Sequence, residues 1–164
     1  MPPHLPPSFL ETGFSLQSVD LPPPVLESVL ARDWSALDQA IEIETKRGGV
    51  IFDTLLQWMD FNQIEFIISI RSSLTTPDED GIWHDDGSRK LAFSLSLTLH
   101  PEEIQGGVLE IRKRDRAGTL YSSQEIPTPP FGTLIVFATG MLGFEHKINK
   151  VSQGERIIIA GWCT

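Results

Sequence analysis

The sequence predicts an α+β fold in which helices come first and many short strands follow. Apolar side chains recur at helical spacing within the first fifty residues, after a run of prolines. Beyond Gly48-Gly49, short segments rich in β-branched and aromatic residues are separated by turn-forming glycine, proline and asparagine. This order predicts a double-sheeted barrel or jelly roll after the helices. The 164 residues suit one domain, 1–164, with a sizeable core.

The amino-terminal part is predicted to be irregular at first and mainly helical afterwards. Residues 1–8 are proline-rich and are predicted to form an irregular tail, and residues 14–19 alternate loosely enough to favour a short strand. A second helix is predicted after Ser35, with Leu37 and Ile41 facing inward. The first helix is predicted to bury four apolar side chains, which are Val25, Leu26, Val29 and Leu30.

The strands of the core are predicted in the second half of the chain. Alternation is cleanest in 91–98, where every second residue from Leu91 to Leu97 is apolar and shares one face. The predicted strands of this part are 64–70, 91–98, 107–112, 132–137 and 156–162.

Charge and composition exclude several classes of protein. The formal net charge of −9 repels phosphate backbones, so we expect no nucleic-acid partner, and the basic cluster at 112–116 is interpreted as a solvated hairpin end. No apolar run is long enough to cross a membrane, and the amino terminus lacks the pattern of a secretory signal. We therefore expect no membrane partner and a cytoplasmic location.

Cysteine usage limits the kind of metal site that this chain can form. Cys163 is the only cysteine, so neither an internal disulfide nor a zinc site of several thiolates is possible. Any metal must be held by histidine and carboxylate.

The histidines are the first candidates for chemistry. His4 lies in the predicted tail and His100 at a predicted turn, so neither is given a function. His84 precedes Asp86 by two residues, and in an extended segment such residues point to the same side. An imidazole, a carboxylate and one further imidazole form the facial triad of non-haem iron(II) oxygenases. The alternative is a polar surface turn that binds no metal.

A distant second motif carries a resemblance to a known family. Residues 144–162 read Phe-Glu-His-Lys-Ile-Asn-Lys-Val-Ser-Gln-Gly-Glu-Arg-Ile-Ile-Ile-Ala-Gly-Trp, and place Arg156 ten residues after His146. Together with His84-x-Asp86, this spacing resembles the catalytic core of the 2-oxoglutarate- and iron(II)-dependent dioxygenases, in their prolyl 4-hydroxylase-like branch. The resemblance covers roughly residues 64 to 162 and includes two further landmarks, Gly-Gly-Val-Leu-Glu at 106–110 and Pro-Pro-Phe-Gly-Thr-Leu-Ile-Val-Phe at 129–137.

The resemblance implies a fold and a set of site residues. The fold is a double-stranded β-helix (jelly-roll) core with the amino-terminal helices packed on one sheet. His84, Asp86 and His146 are expected to hold iron(II) and to act as the catalytic residues. Arg156 is expected to bind the distal carboxylate of 2-oxoglutarate through two parallel hydrogen bonds, and Leu109 to line the cosubstrate pocket.

The chain also departs from the pattern of the family. A tyrosine that often binds 2-oxoglutarate is replaced by Ser96, and a hydroxyl near the barrel floor is replaced by Ala160. Tyr121, the only tyrosine, is predicted to lie in a loop and cannot replace the first. Trp162 is expected to pack near His146, and Trp83 either meets substrate or shields one side of the sheet.

The implied activity is hydroxylation of an unidentified substrate, either a protein side chain or a small amino-acid-like metabolite. Iron(II), 2-oxoglutarate and oxygen would be used, succinate and carbon dioxide released, and ascorbate is a candidate reductant. Two alternatives remain open. One is a non-catalytic, cupin-like metal- or ligand-binding barrel. The other is a metal-assisted hydrolase or a dioxygenase without 2-oxoglutarate, which would not need Arg156. The acidic loop 75–81 is either a lid or an ordinary exposed loop.

Overall fold

The computed structural model describes residues 5–164. The α-helices are α1 (Pro7–Thr12), α2 (Pro23–Ala31), α3 (Trp34–Glu44) and α4 (Val50–Leu56). The strands are β1 (Phe14–Ser18), β2 (Ile64–Ser72), β3 (Leu91–Ser96), β4 (Gln105–Gly106), β5 (Leu109–Arg114), β6 (Leu120–Ile126), β7 (Thr133–Phe137), β8 (Phe144–Ile148), β9 (Val151–Gln153) and β10 (Glu155–Cys163). Short 3₁₀ turns occupy Pro101–Glu103 and Gly140–Leu142.

The strands form a major sheet of five strands, a minor sheet of three, and a short ribbon of two. The major sheet has the order β1-β7-β3-β10-β2, the minor sheet β6-β5-β8, and the ribbon β4-β9. All of these pairings are antiparallel, and most join strands far apart in sequence. The arrangement agrees with the predicted jelly-roll core.

Strand β10 lies between β3 and β2, and its register decides which side chains share the inner face of the major sheet. Ile158 is opposite Ser96 on one side and Ser69 on the other. Arg156, two residues earlier, is opposite Arg71 of β2. Because side chains opposite each other in an antiparallel pair point to the same face, these residues form successive rows along one surface.

The helices pack into the same hydrophobic cluster as the strands, with one exception to the predicted burial. Asp33 caps α3 by accepting a hydrogen bond from the amide of Ala36, and both Leu37 and Ile41 are fully buried, as predicted. In α2, however, Leu26 and Leu30 are exposed. The helix buries Val25, Ser28 and Val29 instead, a narrower stripe than the four-residue prediction. Helix α4 was not predicted.

Three further predictions about local structure are corrected or fall outside the described residues. The irregular tail predicted over 1–8 is too long, because α1 begins at Pro7, a residue type that suits the first turn of a helix. His4 lies outside the described residues. Tyr121 lies on β6 rather than in a loop, and its side chain is exposed. Among residues 5–164, no helix has the length and apolar character needed to cross a bilayer.

Candidate metal centre

Two histidines from distant parts of the chain are brought together by backbone pairing. The amide of His84 donates to the carbonyl of His146 at 3.0 Å, and the amide of His146 donates to the carbonyl of His84 at 2.8 Å. This isolated bridge attaches the segment before β3 to strand β8 of the minor sheet. The two imidazole rings consequently lie with their centroids 4.2 Å apart.

Asp86 completes the cluster, although not by the geometry that the sequence suggested. Its φ of 61° is left-handed rather than extended, a conformation that Asp tolerates better than most residues. The turn places its Oδ1 3.4 Å from Nε2 of His84 and its Oδ2 3.2 Å from Nε2 of His146. The three side chains therefore lie together through a left-handed turn at Asp86, and not through the extended segment that the sequence predicted.

The donor atoms of His84, Asp86 and His146 all lie within 4.8 Å of one another, which is close enough for one ion. The neighbouring carboxylate of Asp85 takes no part, because its Oδ1 accepts from the amide of Gly87 at 2.9 Å. Nδ1 of His84 is 2.9 Å from the carbonyl of Ile82. A carbonyl only accepts, so Nδ1 carries a proton, and in the neutral form of the ring Nε2 presents its lone pair to the cluster.

A buried carboxylate oxygen without a partner makes this position suited to a cation. Among the described residues, Oδ2 of Asp86 has no hydrogen-bond partner although it is buried. The side chains of Asp86 and His146 are each only 6% exposed, so water does not compensate for this. Buried polar groups without partners are rare in proteins and call for an explanation. A divalent ion between the three side chains supplies one.

Burial also sets the protonation of this cluster. It lowers the pKa of His146 to about 3, with the charge of His84 acting in the same direction, so His146 is neutral near pH 7 and its lone pair is available to a metal. Burial raises the pKa of Asp86, and the nearby charge of His84 offsets this in part. Both pKa shifts arise because the buried groups lose the hydration that stabilises their charged forms. A bound cation would stabilise the charged form of the Asp86 carboxylate in place of water.

A cavity of about 160 Å³ adjoins the metal centre and runs along the inner face of the major sheet. His84, His146 and Trp162 line it, and Leu109 forms part of its wall. That this wall belongs to a cosubstrate pocket stays a prediction. Most of the lining is apolar. The cavity is thus a largely apolar space of small-molecule size, and two of the three candidate ligands, His84 and His146, line it.

Arg156 lies on the same face of β10 as Ile158 and Ala160, both of which line the cavity. Its side chain is buried, with 2% of the residue exposed, and its Nε donates to Oγ1 of Thr128 at 3.2 Å. Its Nη1 has no hydrogen-bond partner within the described residues. Burial, together with the charge of Arg71, lowers the pKa of Arg156 to about 9, so the guanidinium remains charged at neutral pH.

The surroundings of Arg156 argue against a surface ion pair with its neighbour. Glu155 binds Arg32 instead, through two hydrogen bonds of 2.7 and 3.0 Å. Arg156 therefore has a buried positive charge without an acidic partner near it in the described structure. Such a charge is unfavourable unless an anion is bound beside it. Arg156 itself is not among the residues that line the cavity, and its side chain lies against Gly107 and Thr128.

The other residues considered from the sequence divide between cavity and scaffold. Ala160 lines the cavity without offering a donor. The hydroxyl of Ser96 donates to the carbonyl of Pro129 at 2.6 Å, so it serves the scaffold. Trp83 packs against two cations of the minor sheet. The Cζ atom of Arg112 is 3.8 Å and the Nζ atom of Lys147 is 5.1 Å from the centroid of its ring, which agrees with shielding of that sheet.

Two polar residues of the cavity wall, Ser69 and Arg71, were not predicted from the sequence. Alternation along β2 would have put both on one face, but only the long-range register with β10 turns that face toward the cavity. Nothing local to Arg71 distinguishes it from a surface cation at the end of a strand.

Comparison with known proteins identifies the family. The model of the 2OG-Fe(II) oxygenase superfamily matches residues 73–164, more than half of the chain, and this region contains His84, Asp86, His146 and Arg156. The chain belongs to the 2OG-Fe(II) oxygenase superfamily. The prediction of the family from the two spaced motifs is confirmed. Members of this superfamily use iron(II) and 2-oxoglutarate, which agrees with the donor set of the candidate metal centre.

Relatives of the superfamily resemble the chain in sequence over part of its length. A PKHD-type hydroxylase of Prochlorococcus marinus strain MIT 9303 is 32% identical over 83 residues, which are 51% of this chain and 33% of that protein. A second PKHD-type hydroxylase, from strain MIT 9313, is 31% identical over 83 residues, which again are 51% of this chain and 33% of that protein. The chain thus spans about a third of the length of the curated relatives that it matches.

Solved structures of the superfamily share the fold at low sequence identity. A prolyl-4-hydroxylase of Pseudomonas putida has a TM-score of 0.58 at 18% identity, with 99% of this chain and 94% of that chain covered. A prolyl 4-hydroxylase of Phytophthora capsici has a TM-score of 0.62 at 10% identity, with 94% and 59% covered. The predicted jelly-roll fold with amino-terminal helices is confirmed by this likeness.

Proposed function

We propose that this chain is an oxygenase that hydroxylates its substrate with iron(II), 2-oxoglutarate and oxygen. The observation that carries the proposal is the convergence of His84, Asp86 and His146 on one point at the end of an apolar cavity. With only three protein ligands, a bound iron(II) would keep coordination positions open for a cosubstrate and oxygen. That is the arrangement an oxygenase needs, whereas a structural zinc site would be closed by a fourth protein ligand.

The protein's part in the reaction is to hold the metal and the cosubstrate, to orient them, and to exclude water from the cavity. Iron(II) and 2-oxoglutarate, when bound, would supply the chemistry by which one oxygen molecule hydroxylates the substrate and converts 2-oxoglutarate to succinate and carbon dioxide. His84 presents Nε2 because its Nδ1 proton is held by the carbonyl of Ile82. Leu109 and the other apolar lining residues keep the cavity dry, so charges inside it interact more strongly than in water.

Arg156 is proposed to bind the distal carboxylate of 2-oxoglutarate. Its buried guanidinium has an unused donor at Nη1, and it lies on the same face of β10 as Ile158 and Ala160, which line the cavity. A carboxylate would supply the counter-charge that the fold does not. This role separates the proposal from a metal-assisted hydrolase or a dioxygenase that uses no 2-oxoglutarate, for which a buried cation has no purpose.

The proposed substrate is a protein side chain or a small amino-acid-like metabolite. The names of the relatives support this range, since they include hydroxylases of the PKHD type and prolyl 4-hydroxylases. Several expectations from the sequence stay predictions. They are the assignment of residues 1–164 to one domain, the cytoplasmic location, ascorbate as reductant, and the lack of nucleic-acid and membrane partners.

A second candidate is a non-catalytic, cupin-like barrel that binds a metal or ligand. This candidate is favoured because two hydrogen-bond donors expected to bind 2-oxoglutarate are absent. The hydroxyl of Ser96 donates to the carbonyl of Pro129, and Ala160 has no donor in its side chain. The two candidates differ in whether 2-oxoglutarate is consumed.

The test is oxygen uptake together with succinate release by the purified protein, with 2-oxoglutarate and iron(II) present. The proposal predicts slow turnover of 2-oxoglutarate by this protein even without substrate, so both signals should rise in proportion and both should vanish when zinc replaces iron. The matched control is His100→Ala, which removes a largely exposed histidine outside the centre and should change neither signal. Tight iron binding without succinate would favour the cupin-like barrel and contradict the oxygenase proposal.

A further inference from the structure

Arg71 is the one arginine among the residues that line the cavity. It is carried by β2, on which Ile67, Ser69 and Arg71 alternate onto the inner face and all reach the cavity wall. Its side chain is 22% exposed, far less than that of a free surface arginine. A charged side chain in a mostly apolar wall calls for a ligand of opposite charge.

The register of the major sheet puts Arg71 directly opposite Arg156. The rows along the cavity are Ile67 with Ala160, then Ser69 with Ile158, and finally the two arginines. Side chains directly opposite in an antiparallel pair have Cβ atoms about 5 Å apart, and like charges in that position destabilise the sheet. The charge of Arg71 accordingly acts on Arg156. An anion between the two guanidinium groups would turn this repulsion into attraction.

The present partners of Arg71 hold it weakly. Its Nη1 is 3.4 Å from the carbonyls of both Glu79 and Ile148, and its Nε is 3.5 Å from Oε2 of Glu79, whose side chain is 58% exposed. Charge-assisted hydrogen bonds are normally shorter, about 2.7–2.9 Å. The guanidinium therefore keeps most of its binding capacity for a ligand in the cavity.

We infer that Arg71 is a second cosubstrate-binding residue, which binds the distal carboxylate of 2-oxoglutarate together with Arg156. The inference rests on the proposed function, because it takes 2-oxoglutarate as the occupant of the cavity. It also accounts for the two departures from the family pattern, since a second cation offers donors where Ser96 and Ala160 offer none to the cavity. The carboxylate would then be held by two guanidinium groups facing each other across adjacent strands.

The test is the affinity of the iron(II)-loaded protein for 2-oxoglutarate without oxygen, measured by titrating the visible charge-transfer absorption. In Arg71→Met the dissociation constant is expected to rise about tenfold to a hundredfold, as for loss of a charge-assisted contact. Arg71→Lys keeps the charge but not the two parallel donors of a guanidinium, so its dissociation constant for 2-oxoglutarate is expected to lie between those of the parent and Arg71→Met. Pyruvate also chelates iron through a 2-oxo acid group but lacks the distal carboxylate. Its affinity should be unchanged in both variants.

A control separates this role from a purely structural tie between β2 and the loop before the metal centre. Glu79→Gln removes the ion pair of Arg71 but keeps the guanidinium, so 2-oxoglutarate should bind as tightly as in the parent or more tightly. Equal losses for pyruvate and 2-oxoglutarate in Arg71→Met, or a loss in Glu79→Gln as large as that in Arg71→Met, would overturn the inference.

The failure of this inference can be told from failure of the proposed function. A parent protein that shows no absorption with 2-oxoglutarate overturns both. A parent that shows the absorption, with an unchanged dissociation constant in Arg71→Met, overturns the role of Arg71 alone.

Discussion

Replacing Asp86 by asparagine is expected to weaken metal binding by about a hundredfold or more. The variant removes the only anionic donor of the cluster, and even partners of metal ligands are worth about tenfold to a hundredfold in affinity. Asparagine is chosen because it tolerates the left-handed φ of 61° at this position, where alanine would add backbone strain. The affinity for manganese(II), a redox-stable substitute for iron(II), can be measured by titration, with the electron paramagnetic resonance signal of the free ion reporting the unbound metal.

The neighbouring carboxylate provides the matched control for this prediction. Asp85→Asn keeps the oxygen that accepts from the amide of Gly87, and it removes one negative charge from the same turn. Metal affinity in this variant should stay within a few fold of the parent. Similar affinities in Asp86→Asn and the parent would contradict the assignment of Asp86, and equal losses in both variants would point to a general charge effect.

Replacing Arg156 by methionine is expected to change two properties in opposite directions. Binding of 2-oxoglutarate should weaken by at least about a hundredfold, because two charge-assisted hydrogen bonds are lost. The free energy of unfolding of the metal-free protein should be unchanged or higher, because a buried charge without an acidic partner is replaced by an apolar chain of similar length. Chemical denaturation and anaerobic titration with 2-oxoglutarate measure the two effects separately.

Arg32→Met is the control for Arg156→Met. Arg32 binds the adjacent Glu155 on the surface, with 58% of its side chain exposed, so its loss should leave the affinity for 2-oxoglutarate unchanged. If Arg156→Met destabilises the metal-free protein strongly but leaves 2-oxoglutarate binding intact, Arg156 is a structural residue and the proposed pocket is wrong.

Much of the fold could be predicted because its local patterns are strong. The alternation of 91–98 and the helical spacing of Leu37 and Ile41 both reflect burial that the structure shows. Helix α4 escaped prediction because it is short and lies directly after Gly48-Gly49, which reads as a break. The exposure of Leu26 and Leu30 depends on which neighbours cover α2, and spacing along one helix does not determine that.

The candidate site shows what two spaced motifs can and cannot give. His84 and His146 were paired through the resemblance, and the structure brings them together through a backbone bridge between segments far apart in sequence. The left-handed turn at Asp86 was not foreseen, since residues two apart converge equally well in an extended segment. Arg71 was missed because its place in the cavity depends on the register of β2 against β10.

The assignment of the metal centre and the cosubstrate pocket is tested most directly by the visible absorption of the parent protein with iron(II) and 2-oxoglutarate, without oxygen. We expect a metal-to-ligand charge-transfer band that requires both additions, is lost in Asp86→Asn and His146→Ala, and is weakened in Arg156→Met. Iron binding without the band would show that 2-oxoglutarate does not occupy the cavity. The absence of iron binding would contradict the assignment of His84, Asp86 and His146 as the metal centre.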